Sequence, residues 1–211
     1  MLRVGVMPPV LRFIAIDPGT DTLGLSVWDV DFQSQKAYIQ TVGTYRANRS
    51  NGFDDHLASI YGDRYARLNA HHASLLECFN YWQPTAIVSE SPYMGRFPQA
   101  YAALVECIGM IQSAIREYDF SQRLITIDPM TAKQAVGVSK RGSNKDLVRD
   151  GVLALKDIIY LNNSPQMLDE HSIDSLAVGY TFFQNIRSLP WTSNPYSRLP
   201  APPAFSNSPG V

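Results

Sequence analysis

The stretch Arg12–Asp29, RFIAIDPGTDTLGLSVWD, decides the fold. An apolar run ends in Asp17, the chain turns at Pro18-Gly19, and an apolar alternation resumes. Phe13–Ile16 predicts a short strand buried on both faces. Gly24–Asp31 and Lys36–Tyr45 are rich in Val, Ile, Trp and Tyr and predict two further strands joined by a polar turn. Together the three make an antiparallel meander. A charge at the end of a buried strand needs a reason. Either Asp17 bonds the backbone of its own turn, as Asp does before Pro-Gly, or it holds out a fixed carboxylate.

Beyond the meander the pattern changes period. His56–Tyr81 places Leu57, Ile60, Tyr61, Leu68, Leu75, Leu76 and Phe79 at helical spacing. Thr85–Ser89 is another short apolar run, and again an acid, Glu90, stands at its end. The segment SPYMGRF is a loop, followed by a helix over Pro98–Tyr118. Arg123–Ile127 predicts a fifth strand, closed by Asp128-Pro129. Met130–Gly137 is a helical turn, Val138–Asn144 a basic connector, Lys145–Ile159 a third helix, and about His171–Asn185 the last one. Three strands followed by alternating helices and strands predict an α/β protein: a mixed five-stranded sheet flanked by helices.

A chain of 211 residues suits one domain with tails. The expected division is a lead-in over residues 1–11, a domain over 12–187, and a tail over 188–211 that holds six prolines. The net charge of −1 gives no global reason to bind nucleic acid, so local charge must carry any such reading. Cys78 and Cys107 lie in apolar helical patterns without zinc spacing and read as small buried hydrophobes. No run of 18 apolar residues occurs, so no membrane span is expected. The start MLRVGVMPPV is too short and too weakly patterned for a signal peptide. The expected location is therefore the cytoplasm, or the DNA of a host cell or organelle, and not the exterior.

Asp17 and Glu90 both end apolar strands, and strand ends of this kind meet at one edge of a sheet with crossovers. In DEHSIDSLAVGY, His171 and Asp174 share a helix face, which Ile173, Leu176, Ala177 and Tyr180 can dock against a sheet. Carboxylates brought together repel and raise one another's pKa. A divalent cation reverses that cost, and hard oxygen donors suit Mg²⁺, with Mn²⁺ as a substitute. Two such ions, about 4 Å apart, activate water and stabilise the leaving oxygen in phosphodiester hydrolysis. His171 would be a softer ligand or would orient the attacking water. Each residue also has a plainer reading: a turn residue for Asp17, a surface Glu for Glu90, a helix-cap neighbour for His171, and a first-turn acid suited to the helix dipole for Asp174.

The chain resembles the RuvC family of Holliday-junction resolvases, within the ribonuclease-H-like superfamily. The resemblance begins at IAIDPGTDTLGLSV, with the family's first catalytic Asp at Asp17. It continues at AIVSESPYMGRF, where the second carboxylate falls on Glu90. IDPMTAKQAVGVSKRGSNKDLV matches the family's pattern through Pro129, Lys133, Val136, Gly137 and Lys145, and HSIDSLAVGY matches its last acidic pair. One departure is His171, where many relatives have aspartate and some have histidine. Asp169 is a nearby alternative ligand with a poorer match.

That resemblance implies a structure-selective endonuclease that cuts four-way junctions as a homodimer, with Asp17, Glu90, His171 and Asp174 holding two Mg²⁺ ions. It places Lys133 and Lys145 at the scissile phosphate. Lys140, Arg141 and Arg149 complete a basic cluster opposed only by Asp146 between residues 133 and 149, and Arg96 adds a further phosphate contact. Tyr93, with Phe97 in reserve, would stack on a base opened at the junction, or else anchor its loop in the core. Other readings stay open: a broader debranching nuclease for viral or organellar DNA, a non-catalytic junction-binding module, and an RNA–DNA hybrid nuclease. A sugar-kinase-like ATPase lacks its second phosphate-binding hairpin here.

Overall fold

The computed structural model describes residues 10–95, 97–139 and 145–187. Six strands form one sheet: β1 (Val10–Asp17), β2 (Thr22–Asp31), β3 (Lys36–Arg46), β4 (Ala86–Glu90), β5 (Leu124–Ile127) and β6 (Ile158–Tyr160). Their order is β5-β4-β1-β2-β3-β6. β2 runs antiparallel to both neighbours, while β1 with β4, β4 with β5 and β3 with β6 pair in parallel. All strands except β2 therefore point the same way, and their C-terminal ends share one edge.

The helices are α1 (Asp55–Tyr61), α2 (Asp63–Trp82), α3 (Pro98–Tyr118), α4 (Pro129–Ala135), α5 (Lys145–Leu153) and α6 (Glu170–Arg187). β1 explains why both faces of the sheet must be covered. Its Phe13 and Ala15 belong to one core, with Trp28, Leu176, Phe182 and Phe183. Its Ile14 and Ile16 belong to the other, with Leu75, Phe79, Cys107, Ile111 and Ile115 from α2 and α3. A strand buried on both sides reads as a continuous apolar run, not an alternation. α6 is the centre of the first core, with twelve buried residues, and no helix is long and apolar enough to cross a membrane among the described residues.

Three expectations change. The sheet has six strands, not five, because Lys145–Ile159 is not one helix: α5 stops at Leu153 and Ile158–Tyr160 pairs with Ala37–Ile39. The helix expected over His56–Tyr81 is two, divided at Gly62, whose φ of 89° is one that side-chain-bearing residues rarely adopt. β1 begins at Val10, inside the expected lead-in.

Candidate active site

The site lies at the shared C-terminal edge. Asp17 is the last residue of β1 and Glu90 the last of β4, two strands that are sheet neighbours. Asp17 sits in register with Gly24 on β2. A Cβ at Gly24 would lie 1.9 Å from the backbone oxygen of His171 and 3.1 Å from the Asp17 Cβ. The missing side chain is what lets the first turn of α6 come down onto the sheet beside Asp17. Asp169 starts that turn: its Oδ1 accepts from the Ser172 amide at 2.9 Å and from the Thr44 hydroxyl. It is a helix cap, and these bonds hold its carboxyl below the usual range despite partial burial. Both bonds fall on Oδ1, so capping is the role that its contacts show.

His171 and Asp174 follow on α6. His171 Nδ1 is 2.8 Å from Asp17 Oδ2, and this bond leads the rise of the imidazole pKa above its ordinary value. Asp17 is only 7% exposed. Burial, then the charges of Asp17 and Asp174, pushes the Glu90 carboxyl up to about 8. Burial, then Asp17 and Glu170, pushes Asp174 up to about 6. Lys133, on the last turn of α4, pulls both the other way. The three carboxylates thus lie within electrostatic reach of one another in a partly desolvated site, with Lys133, His171 and Lys145 as the nearby cationic groups among the described residues.

The chemistry of this donor set fits a hard divalent cation: oxygen donors, buried, with negative charge in excess. As the side chains stand, no group of three or more His, Cys, Asp or Glu among the described residues is arranged to hold a metal ion. Asp17 accounts for part of this, since one of its oxygens is bonded to His171 and its carboxylate also interacts with Glu90.

The basic residues divide. Lys133 is half-buried beside the carboxylates. Lys145, exposed at the start of α5, is ion-paired with Glu170, and both line a cleft of about 230 Å³ with Asp146, Arg149, Ile173 and Asp174. Arg149 has other work: its guanidinium donates to the carbonyls of Leu168 at 2.6 Å and Gln166, bracing the loop that leads into α6. Tyr93 and Phe97 are 63% and 74% exposed, so neither anchors its loop in the core. Arg96, Lys140 and Arg141 lie outside the described residues. Sequence reasoning passed over Glu170, a fourth acid at the site; its only signal was its place beside Asp169 and His171.

No family model matches the sequence, and no curated protein matches it. Solved structures do match. RuvC of Thermus thermophilus, solved in complex with Holliday junction substrate, superposes with a TM-score of 0.58 at 22% identity, over 83% of this chain and 95% of that one. The yeast mitochondrial Holliday junction resolvase gives 0.59 at 15% identity, over 85% of this chain and 80% of that one. The fowlpox virus Holliday junction resolvase gives 0.54 at 12% identity, over 83% of this chain and 99% of that one. The chain therefore has the ribonuclease-H-like α/β fold of the RuvC resolvases.

Proposed function

We propose that this protein is a metal-dependent, structure-selective endonuclease that resolves four-way DNA junctions, acting as a homodimer. One observation carries the reading: Asp17, buried, and Glu90 and Asp174, half-buried, converge with negative charge in excess at the sheet edge where the chain resembles the resolvases. A fold does not impose a function, so the weight rests on the site. A structure of the same fold solved with Holliday junction substrate adds support.

Asp17, Glu90 and Asp174, with His171, are the residues that would hold Mg²⁺ or Mn²⁺, two ions to a site. When bound, the metal lowers the pKa of an attacking water and neutralises charge on the leaving 3′ oxygen, which gives 5′-phosphate and 3′-hydroxyl nicks. His171 holds or moves a proton at Nδ1, where it now bonds Asp17. Lys133 and Lys145 meet the scissile backbone, Tyr93 and Phe97 offer faces to unstacked bases, and any sealing is left to a ligase. A junction has near two-fold symmetry, so paired cuts call for two copies of the site.

The test is cleavage of an end-labelled mobile four-way junction with Mg²⁺, Mn²⁺ or EDTA, beside linear duplex and hybrid controls. Symmetric nicks near the branch, absent in EDTA and in Asp17→Asn and Asp174→Asn, are expected. Preferential cutting of the hybrid would overturn the assignment. A second reading, junction binding without cutting, is favoured by His171, which stands where many members of the family that the chain resembles carry an acid. Tight binding with no metal-dependent nicks would select it.

A further inference from the structure

The turn that follows Asp17 is held from outside. Pro18–Asp21 leaves the sheet between β1 and β2, and each of its last three residues meets a side chain of the helices below. Cys107 of α3 lies 3.6 Å from the Gly19 carbonyl. His71 of α2 places Nε2 3.0 Å from the Thr20 carbonyl. Arg67, one turn earlier on α2, brings its Nε to 2.7 Å from Asp21 Oδ1, a charge contact whose N–H does not point along that line. Arg67 and His71 are four apart and share a helix face. The backbone adds one bond, from the Ala47 amide to the Asp21 carbonyl.

His71 is the member that the core does not explain. It is fully buried, and only a protonated Nε2 can donate to a carbonyl, so Nδ1 is left as an acceptor, and it has no partner. Burial depresses the ring's pKa to about 4, which keeps it neutral and in that one tautomer. Tyr45 packs edge-on at 5.3 Å and fixes the ring plane. A phenylalanine would fill the same space without an orphaned nitrogen. What histidine adds is the Nε2–H aimed at Thr20.

We propose that His71, supported by Arg67 and Cys107, clamps the Pro18–Asp21 turn and so fixes the direction in which Asp17 presents its carboxylate. His71 is a positioning residue that never touches substrate. This rests on the nuclease reading for what Asp17 holds, but the clamp itself is testable without it. A strand-end carboxylate followed by a loose turn would sample several directions, and a ligand set tolerates little of that.

The experiment compares full-length wild type, His71→Phe and His71→Gln; the glutamine keeps a donor and phenylalanine does not. Four quantities are read: amide hydrogen exchange of residues 19–22 against β1 and α3, Mn²⁺ binding by calorimetry, junction affinity, and junction cleavage. In His71→Phe the turn amides exchange faster while β1 and α3 are unchanged. Mn²⁺ affinity and cleavage rate fall about 10-fold or more, the range for losing a residue that orients a ligand. Junction affinity without divalent metal stays within about twofold, and glutamine restores most of each loss. Unchanged turn exchange, a rise spread evenly over the fold, or no rescue by glutamine overturns the clamp. A wild type that binds no Mn²⁺ and cuts no junction overturns the nuclease reading and the clamp's role in metal positioning, whatever the exchange shows. A wild type that cuts no better than His71→Phe overturns the clamp alone.

Discussion

The two ends of the sheet treat their buried and half-buried carboxylates in opposite ways. At the end where β1 begins, Asp29 receives two 2.7 Å bonds from Arg12 and a third bond, from Gln40. Asp157, just before β6, is bonded by Arg187, Tyr180 and Gln184. Both of these acids have a guanidinium. At the other end, Asp17, Glu90 and Asp174 face one another with Lys133 and His171 for relief, and two of the three are driven toward protonation. The same backbone supports both arrangements, so the second is not forced by the fold. Paired acids hold structure; crowded acids without a cation are kept where a ligand is to supply the charge.

Breaking each end should therefore have opposite consequences. At the open end, Asp17→Asn is expected to lower junction cleavage by about 10³-fold or more, since metal-borne stabilisation amounts to several kcal/mol. It should leave metal-free stability nearly unchanged, because relief of the repulsion on Glu90 and Asp174 offsets the lost ionic part of the bond to His171. At the closed end, Asp29→Ala strands a buried guanidinium and is expected to cost about 3–5 kcal/mol in urea unfolding. Loss of stability in Asp17→Asn comparable to that in Asp29→Ala would erase the distinction.

The open end should also write itself into the pH dependence. Folded Glu90 keeps its proton up to about 8, whereas an unfolded glutamate loses it near its ordinary value of 4.5. Over that interval the folded state binds more protons, so stability falls as pH rises. His171 acts in the same direction, since its folded pKa is raised and the ionic part of its bond to Asp17 is lost on deprotonation. His71 opposes them only lower down: its folded value of about 4 makes stability rise with pH up to the unfolded value of 6.5. From pH 6.5 to 8, then, metal-free protein in EDTA should lose stability steadily. Saturating Mg²⁺ should flatten or reverse the slope, because the ion binds the ionised carboxylates. Equal slopes with and without metal would mean that the cluster holds none.

How far all this could be read from the sequence follows the same division. Asp17 and Glu90 were legible because each ends a short apolar run, and a charge there interrupts a pattern. Asp174 was legible from its helix face. β6 was not: Ile158 and Ile159 continue the helical spacing of Val148 and Val152, and only pairing with β3 turns three residues into a strand. Arg149 read as a phosphate contact because composition cannot show that the carbonyls of Gln166 and Leu168 claim it. His71 looked like any helix residue, since its partner Thr20 is 51 positions away. Periodicity marks what a residue must avoid, namely water or apolar surroundings. It does not mark its partner across the fold.

A smaller test concerns where the cap of α6 ends and the site begins. Asp169→Ala removes an N-cap and should lower stability by about 1 kcal/mol, with cleavage retained. A loss of metal binding in this variant would make Asp169 a ligand rather than a cap.

The smallest effect is expected at an ion pair that joins the open end to its basic flank. Lys145 is exposed and paired with Glu170, which also adds to the repulsion on Asp174. A surface pair of this kind holds little folding free energy, so Glu170→Gln should leave the unfolding midpoint unmoved. Its effect should appear on DNA. A lysine engaged by a carboxylate must give up that partner before it meets a phosphate, and a lysine facing glutamine need not. Junction affinity without divalent metal should rise severalfold. The slope of log affinity against log salt should steepen by a fraction of the ~0.9 that one full phosphate contact contributes. If instead Glu170→Gln weakens binding, then Glu170 orients Lys145 toward the backbone rather than competing for it. If nothing changes, Lys145 does not meet DNA, and the phosphate contacts belong to Lys133 alone among the described lysines at this edge.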